Sequence, residues 1–214
     1  MRKLIILPAV LSDNEDELKK QIEKVSPLSK NLHLDYADGI FVDNKTVDWQ
    51  FILDLPEHYH NKNIYLHLMC QEPIAIAKEA LLKGFQEVSI HIETLKENDI
   101  EAIKELKELG KIGLALKLET PISKVAPYLD IADSITIMTV EAGGQSRAFQ
   151  REGLEKIKSL RVQGYKGIIV ADGGMNENTI ADVVEAGANR LVVGSALTQA
   201  QDPKKVYNRL LELI

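Results

Sequence analysis

The sequence holds a single cysteine, Cys70, in 214 residues. One thiol excludes an internal disulfide and fits a reducing compartment. No apolar run approaches the roughly 20 residues that cross a bilayer as a helix. No Pro/Gly/Ser-rich linker and no block of like charge divides the chain, so 1–214 reads as one domain. Positive charge is also short: 26 Lys and Arg face 32 Asp and Glu, a net charge of −6. That argues against a general nucleic-acid surface, though not against a small anionic substrate bound in a local positive pocket. The opening MRKLIILPAVL has the two positive charges and apolar run of a secretory signal. The run breaks at Pro8 and meets an acidic helix without a small-residue cleavage pattern, so a first strand is expected instead. These absences together predict a soluble, cytoplasmic protein with neither nucleic acid nor membrane as partner.

What is present is a regular alternation. With 45% hydrophobic residues, the chain is long enough to bury a sizeable core. Short apolar runs at 3–11, 32–36, 63–69, 87–93, 111–118, 134–140, 167–174 and 190–197 predict strands. Between them lie amphipathic stretches: EDELKKQIEKV, a weak TVDWQFILDL, PIAIAKEALLKG, DIEAIKELKELG, PISKVAPYL behind Pro121, FQREGLEKIKSLRVQG, NENTIADVVEAG and a closing DPKKVYNRLLELI. Near-continuous apolar strands are those of a parallel sheet covered by helices. Eight β/α units in this length predict an α/β fold, a closed (β/α)8 TIM barrel. A doubly wound sheet would carry a Gly-rich fingerprint after the first strand, and PAVLSDNED has none.

A barrel puts its chemistry at the C-terminal ends of the strands. Strand two, LHLDYADGIF, ends with His33 and Asp35, which are two apart and share a face. Strand three ends with His67 and strand seven with Asp172. Taken singly, each has a plain structural reading: a satisfied core histidine, or an Asp-Gly-Gly turn. Taken together, four ionisable groups in one barrel mouth would be costly, and a cation relieves that cost. Imidazole with carboxylate suits zinc first, with iron(II), manganese or cobalt as alternatives. His91 and Glu93 read as polar packing behind the site, and His58 and His60 as solvent-facing. Gly173-Gly174 and Gly194-Ser195 follow strands seven and eight, where glycine lets backbone N–H groups approach a phosphate. The loop EAGGQSRAF after strand six reads equally as a mobile lid and as an ordinary surface loop.

With these residues assembled, the chain resembles the ribulose-phosphate 3-epimerase family along almost its whole length. The resemblance rests on HLDYADGIFVDN, HLMCQEP, MTVEAGG with Phe149 following, ADGG and VVGSAL, in that order. It implies a divalent metal on His33, Asp35, His67 and Asp172. It also implies proton transfer at C3 of a small phosphorylated ketose by Asp35 and Asp172. Met69 and Met138 would line the site, and Gly143, Gly144, Gly173, Gly174, Gly194 and Ser195 would hold the phosphate. Such barrels commonly associate, so a homo-oligomer is expected. This chain departs from the family pattern at Ala9, where Ser is usual, and at Ala37, where Met is usual, which predicts a wider pocket there. Its strand-six loop brings Arg147, whose guanidinium suits phosphate oxygens unless solvent takes it. The substrate expected is ribulose 5-phosphate and xylulose 5-phosphate. The alternatives are a ketohexose phosphate such as allulose 6-phosphate, or a non-catalytic phosphosugar-binding barrel. Related decarboxylase and aldolase barrels use Asp-x-Lys-x-x-Asp on strand two, and Ala37 stands where that lysine would be.

Overall fold

A computed structural model describes residues 4–96, 99–143 and 147–214. The strands are β1 (Ile5–Val10), β2 (Asn31–Ala37), β3 (Asn63–Met69), β4 (Glu87–His91), β5 (Ile112–Leu116), β6 (Ser134–Met138), β7 (Ile168–Asp172) and β8 (Arg190–Val193). Each pairs in parallel with the next, and β1 pairs with β8, so the sheet closes into a barrel. The helices are α1 (Glu15–Val25), α2 (Trp49–His58), α3 (Pro73–Leu82), α4 (Asp99–Leu109), α5 (Glu152–Val162), α6 (Ile180–Ala186), α7 (Ser195–Thr198) and α8 (Pro203–Glu212).

Local chemistry explains the helices. The Asn14 side chain accepts the Glu17 amide, and Glu15, Asp16 and Glu17 crowd the first turn of α1, where negative charge is favoured. Leu18, Ile22 and Val25 then form its buried stripe. The α2 stretch, weak by pattern, starts cleanly because Asp48 accepts the Gln50 amide at 2.8 Å.

Strand alternation divides two cores. Leu32 and Leu34, Ile64, Leu66 and Leu68, and Ile135 and Ile137 point outward and join the helices in one large core. The inward residues include a small apolar set, Leu7, Ala9, Val170 and Val192. At the N-terminal ends of the strands the interior is polar. Arg190 Nη1 donates to both Glu87 oxygens at 2.7 and 2.8 Å, and Ser134 Oγ donates to Glu87 Oε1 at 2.6 Å. Gly113 leaves room for this group, since a Cβ there would meet Ser134 Oγ at 2.6 Å. Such a buried pair holds only with its hydrogen bonds satisfied.

Three sequence expectations change. Residues 190–197 are not one strand: β8 ends at Val193, and Ser195–Thr198 is a single helical turn beyond Gly194. Strand four stops at His91, and Ile92–Thr94 turns as a 3-10 segment. PISKVAPYL forms a 3-10 stretch, Ile122–Tyr128, rather than an α-helix. Pro127 cannot donate a backbone bond there and would crowd an α-helical turn.

Candidate active site

The C-terminal rims of β2, β3 and β7 bring four predicted ligands into one cluster. Parallel register sets Asp35 beside His67 and Met138 beside Asp172. His33 Nε2 lies 3.2 Å from Asp35 Oδ1 and 3.4 Å from Asp172 Oδ2. His67 Nδ1 lies 3.1 and 3.2 Å from the same two oxygens. Nitrogen and oxygen thus alternate around a ring, with all four donor atoms within 4.8 Å of one another. His33, His67 and Asp172 are buried, and Asp35 is the most open of the four.

Burial by itself would lower the imidazole pKa values. The charge of Asp35, with hydrogen bonding to Asp172, outweighs it and lifts His33 to about 10. Hydrogen bonds to Asp172 and Asp35 likewise lift His67 to about 9. Burial would raise the carboxylates, but the two imidazoles hold Asp35 and Asp172 below the ordinary carboxylate value.

The ring fits a metal. Asp172 Oδ2 is buried and makes no well-directed hydrogen bond among the described residues, although two imidazole nitrogens are close by. Both of those imidazoles hydrogen-bond Asp35 Oδ1 instead, at 3.2 and 3.1 Å, which leaves Asp172 Oδ2 the orphaned acceptor of the cluster. Two imidazoles and two carboxylates form a usual donor set for a divalent ion, whose bonds run to about 2.0–2.2 Å.

Behind the ring, His67 Nε2 lies 2.9 Å from His91 Nε2, and His91 Nδ1 lies 3.0 Å from Glu93 Oε2. The Phe41 ring covers His91 at 4.8 Å, and Lys117 Nζ sits 3.8 Å from the Phe41 centroid. Burial pushes His91 down to about 4, so its ring is neutral at ordinary pH. The sequence pattern places His91 and Glu93 behind the site but not this row of contacts, which needs the β3–β4 register.

A cavity of about 60 Å³ opens on the ring. Asp35, His67, Met69, Met138, Gly143, Arg147, Asp172, Gly173, Gly174, Gly194 and Ser195 line it, as does Ala9. Gly144 lies outside the described residues. Leu11, Val140, Met175 and Val192 also line it. Inward alternation marks Val192 in the sequence, whereas Leu11 and Met175 come from loops that carry no such period. Gly173 and Gly174 have φ of +114° and +70°, a region side chains rarely occupy. Thr139 pins this turn by donating its hydroxyl to the Gly173 carbonyl at 2.5 Å. The helix after strand seven begins only at Ile180, so the backbone turn, not a helix end, faces the cavity there.

Two expectations need adjustment. Ala37 is fully buried beneath Leu11, Phe41, Val42 and Met69 and does not line the cavity among the described residues. Its small side chain is compensated by these neighbours, so the pocket is not widened at that point. Arg147 is at the cavity wall but its Nη1 donates to Glu141 Oε2 at 2.7 Å, so its charge is already partnered. Asp38 is a turn residue: its carboxylate accepts the amides of Ile40, Phe41 and Gln71. His58 and His60 are exposed.

The parallel barrel and the buried ring at its C-terminal rim define the class, a TIM-barrel enzyme. Solved structures agree on the fold. The 3-hexulose-6-phosphate synthase of Salmonella typhimurium superposes with a TM-score of 0.72 at 16% identity, over 100% of this chain and 98% of that one. The 3-keto-L-gulonate-6-phosphate decarboxylase of Vibrio cholerae gives 0.73 at 12%, over 100% and 97%. Sequence comparison is narrower. The profile of the Ribulose-phosphate 3 epimerase family matches residues 5–198. The ribulose-phosphate 3-epimerase of Bacillus subtilis is 32% identical over 96% of this chain and 97% of its own. That of Schizosaccharomyces pombe is 30% identical over 96% and 91%. The chain belongs to the ribulose-phosphate 3-epimerase family, a family of isomerases.

Proposed function

We propose that the protein is a divalent-metal-dependent epimerase that interconverts D-ribulose 5-phosphate and D-xylulose 5-phosphate at C3. The observation that carries this reading is the ring itself: two carboxyl groups, Asp35 and Asp172, on different strands and held by the same two imidazoles, so that one can act as base while the other, protonated, acts as acid. A divalent ion held by His33, Asp35, His67 and Asp172 supplies positive charge that stabilises negative charge on the substrate oxygens. One carboxylate takes the C3 proton. The C–H electron pair becomes the C2–C3 double bond, and the carbonyl oxygen gains the charge, giving an enediolate. The other aspartate, which must start the cycle as the neutral carboxylic acid, delivers its proton to the opposite face of C3 and is left ionised, which inverts C3. Nothing is oxidised or reduced, so no redox cofactor takes part. The roles reverse for the return reaction.

The phosphate fits the glycine-lined end of the cavity, against the backbone at Gly173-Gly174 and Gly194-Ser195. Arg147 borders the same space and exchanges Glu141 for the phosphate. The cavity is small beside the usual several hundred Å³ of ligand sites, and the strand-six wall at Gly143 and Arg147 is the part a sugar phosphate must displace. A ketohexose phosphate is the second reading, favoured by Ala9, which lines the cavity where a longer side chain would narrow it. Turnover on D-ribulose 5-phosphate and D-allulose 6-phosphate separates the two. The pentose is expected to be the better substrate, and Asp35→Asn or Asp172→Asn is expected to lower its turnover by about 10²–10⁴-fold. Negligible pentose turnover, or near-wild-type rates in both variants, would contradict the proposal.

A further inference from the structure

His67 presents Nδ1 to the ring and Nε2 to His91, so which nitrogen carries its proton decides whether it can hold a cation. We infer that the row Glu93–His91–His67 fixes a hydrogen on His67 Nε2, so that Nδ1 is the nitrogen a cation takes when it displaces the proton shared with Asp35, which makes His91 and Glu93 positioning residues for the metal. The inference rests on the metal reading above and follows from counting hydrogens along the row.

Glu93 as a carboxylate only accepts hydrogen bonds. Its Oε1 takes the Lys117 backbone N–H at 2.8 Å, and its Oε2 faces His91 Nδ1 at 3.0 Å. His91 Nδ1 therefore carries the hydrogen. The His91 ring is fully buried, with the Phe41 ring tilted against it at 49° and the Lys117 ammonium beyond. A second proton on it would be a buried charge close to a cation, which is costly. Its Nε2 is thus bare and accepts. Two nitrogens 2.9 Å apart share one hydrogen, so His67 Nε2 donates it. Without a cation His67 Nδ1 also carries a hydrogen, donated to Asp35 Oδ1 at 3.1 Å; loss of that one proton leaves a neutral His67 whose lone pair is on Nδ1, facing Asp35 Oδ1 and Asp172 Oδ2.

The chain builds this row economically. His91 and Glu93 straddle the point where β4 gives way to the 3-10 turn Ile92–Thr94, and Thr94 Oγ1 donates to the His91 carbonyl at 2.7 Å. The turn brings the Glu93 carboxylate back against the ring of His91. Outer partners of this kind commonly set the tautomer of a ligating histidine and its basicity.

Glu93→Gln breaks the hydrogen count while leaving the shape. Its amide offers one oxygen to two N–H donors, Lys117 and His91, so one must face an NH2 group. Zinc affinity, measured by competition with a chromophoric chelator, is expected to fall about 10–100-fold. The melting temperature of the zinc-free protein should stay within a few degrees of the wild type. A direct reading comes from nitrogen-15 NMR of the zinc-loaded wild type: His67 should be protonated at Nε2 and His91 at Nδ1. Unchanged zinc affinity in a folded Glu93→Gln protein would overturn the inference, as would a His91 protonated at Nε2. A wild type that binds no zinc or other divalent ion would overturn the metal reading and this inference together.

Discussion

His33 and His67 are buried imidazoles whose charge state depends on whether a cation replaces the protons they share with Asp35 and Asp172. In the metal-free protein both folded-state pKa values stand above the ordinary 6.5, at about 10 and about 9. A raised pKa contributes stability that is fully present below pH 6.5 and is lost as pH climbs through the folded value. The metal-free protein should therefore lose stability between about pH 6.5 and pH 10. Each kcal/mol moves the melting temperature of a chain this size by about 2–4 °C, so a fall of several degrees is expected. The metal-loaded protein, whose two imidazoles stay neutral across that range, should not show this decline. Scanning calorimetry across the window checks both, and a flat metal-free profile would contradict the paired charges. At this scale the sequence was informative: the two-residue spacing of His33 and Asp35, and the strand-end positions of His67 and Asp172, led to the ring. It misled at Ala37, where the small side chain suggested a wider pocket, because Leu11, Phe41 and Val42, which fill the space around it, come from the β1 and β2 loops.

The strand–loop unit is the scale at which the proposed phosphate recognition is tested. The β7 turn can hold the backbone close to a ligand because Gly173 and Gly174 carry no Cβ. A Cβ on Gly174 would stand 2.9 Å from that of Phe149 and 3.0 Å from its backbone Cα, at a left-handed φ. Gly174→Ala is therefore expected to shift this turn, raise KM for the sugar phosphate and weaken inhibition by inorganic phosphate about tenfold. Arg147→Ala, measured alongside, should raise KM less and leave kcat nearly unchanged. Inhibition by phosphate that is indifferent to the glycine change would place the anion elsewhere. Element ends were the least legible part. VVGSAL continues an apolar run, yet Gly194, at φ −93° and ψ −98°, turns the chain out of the strand. PISKVAPYL has the apolar spacing of a helix, but Pro127 leaves it a 3-10 stretch.

The closed barrel was legible because one β/α unit recurs eight times, and repetition outweighs the uncertainty of any single end. The polar layer at the opposite end of the barrel was not. Glu87 and Arg190 lie 103 residues apart in sequence, and only closure brings them together inside the sheet. That layer separates the molecule into a stabilising end and a chemical end. No helix among the described residues is long and apolar enough to cross a membrane. The central claim belongs to the whole molecule: a barrel whose rim holds one divalent ion and uses it for epimerisation. The most direct test removes metal from the purified protein with a chelator, assays D-ribulose 5-phosphate epimerisation, then titrates a divalent ion back. The expected result is loss of activity on chelation and full recovery at one ion per chain. Full activity in the metal-free protein would contradict the account.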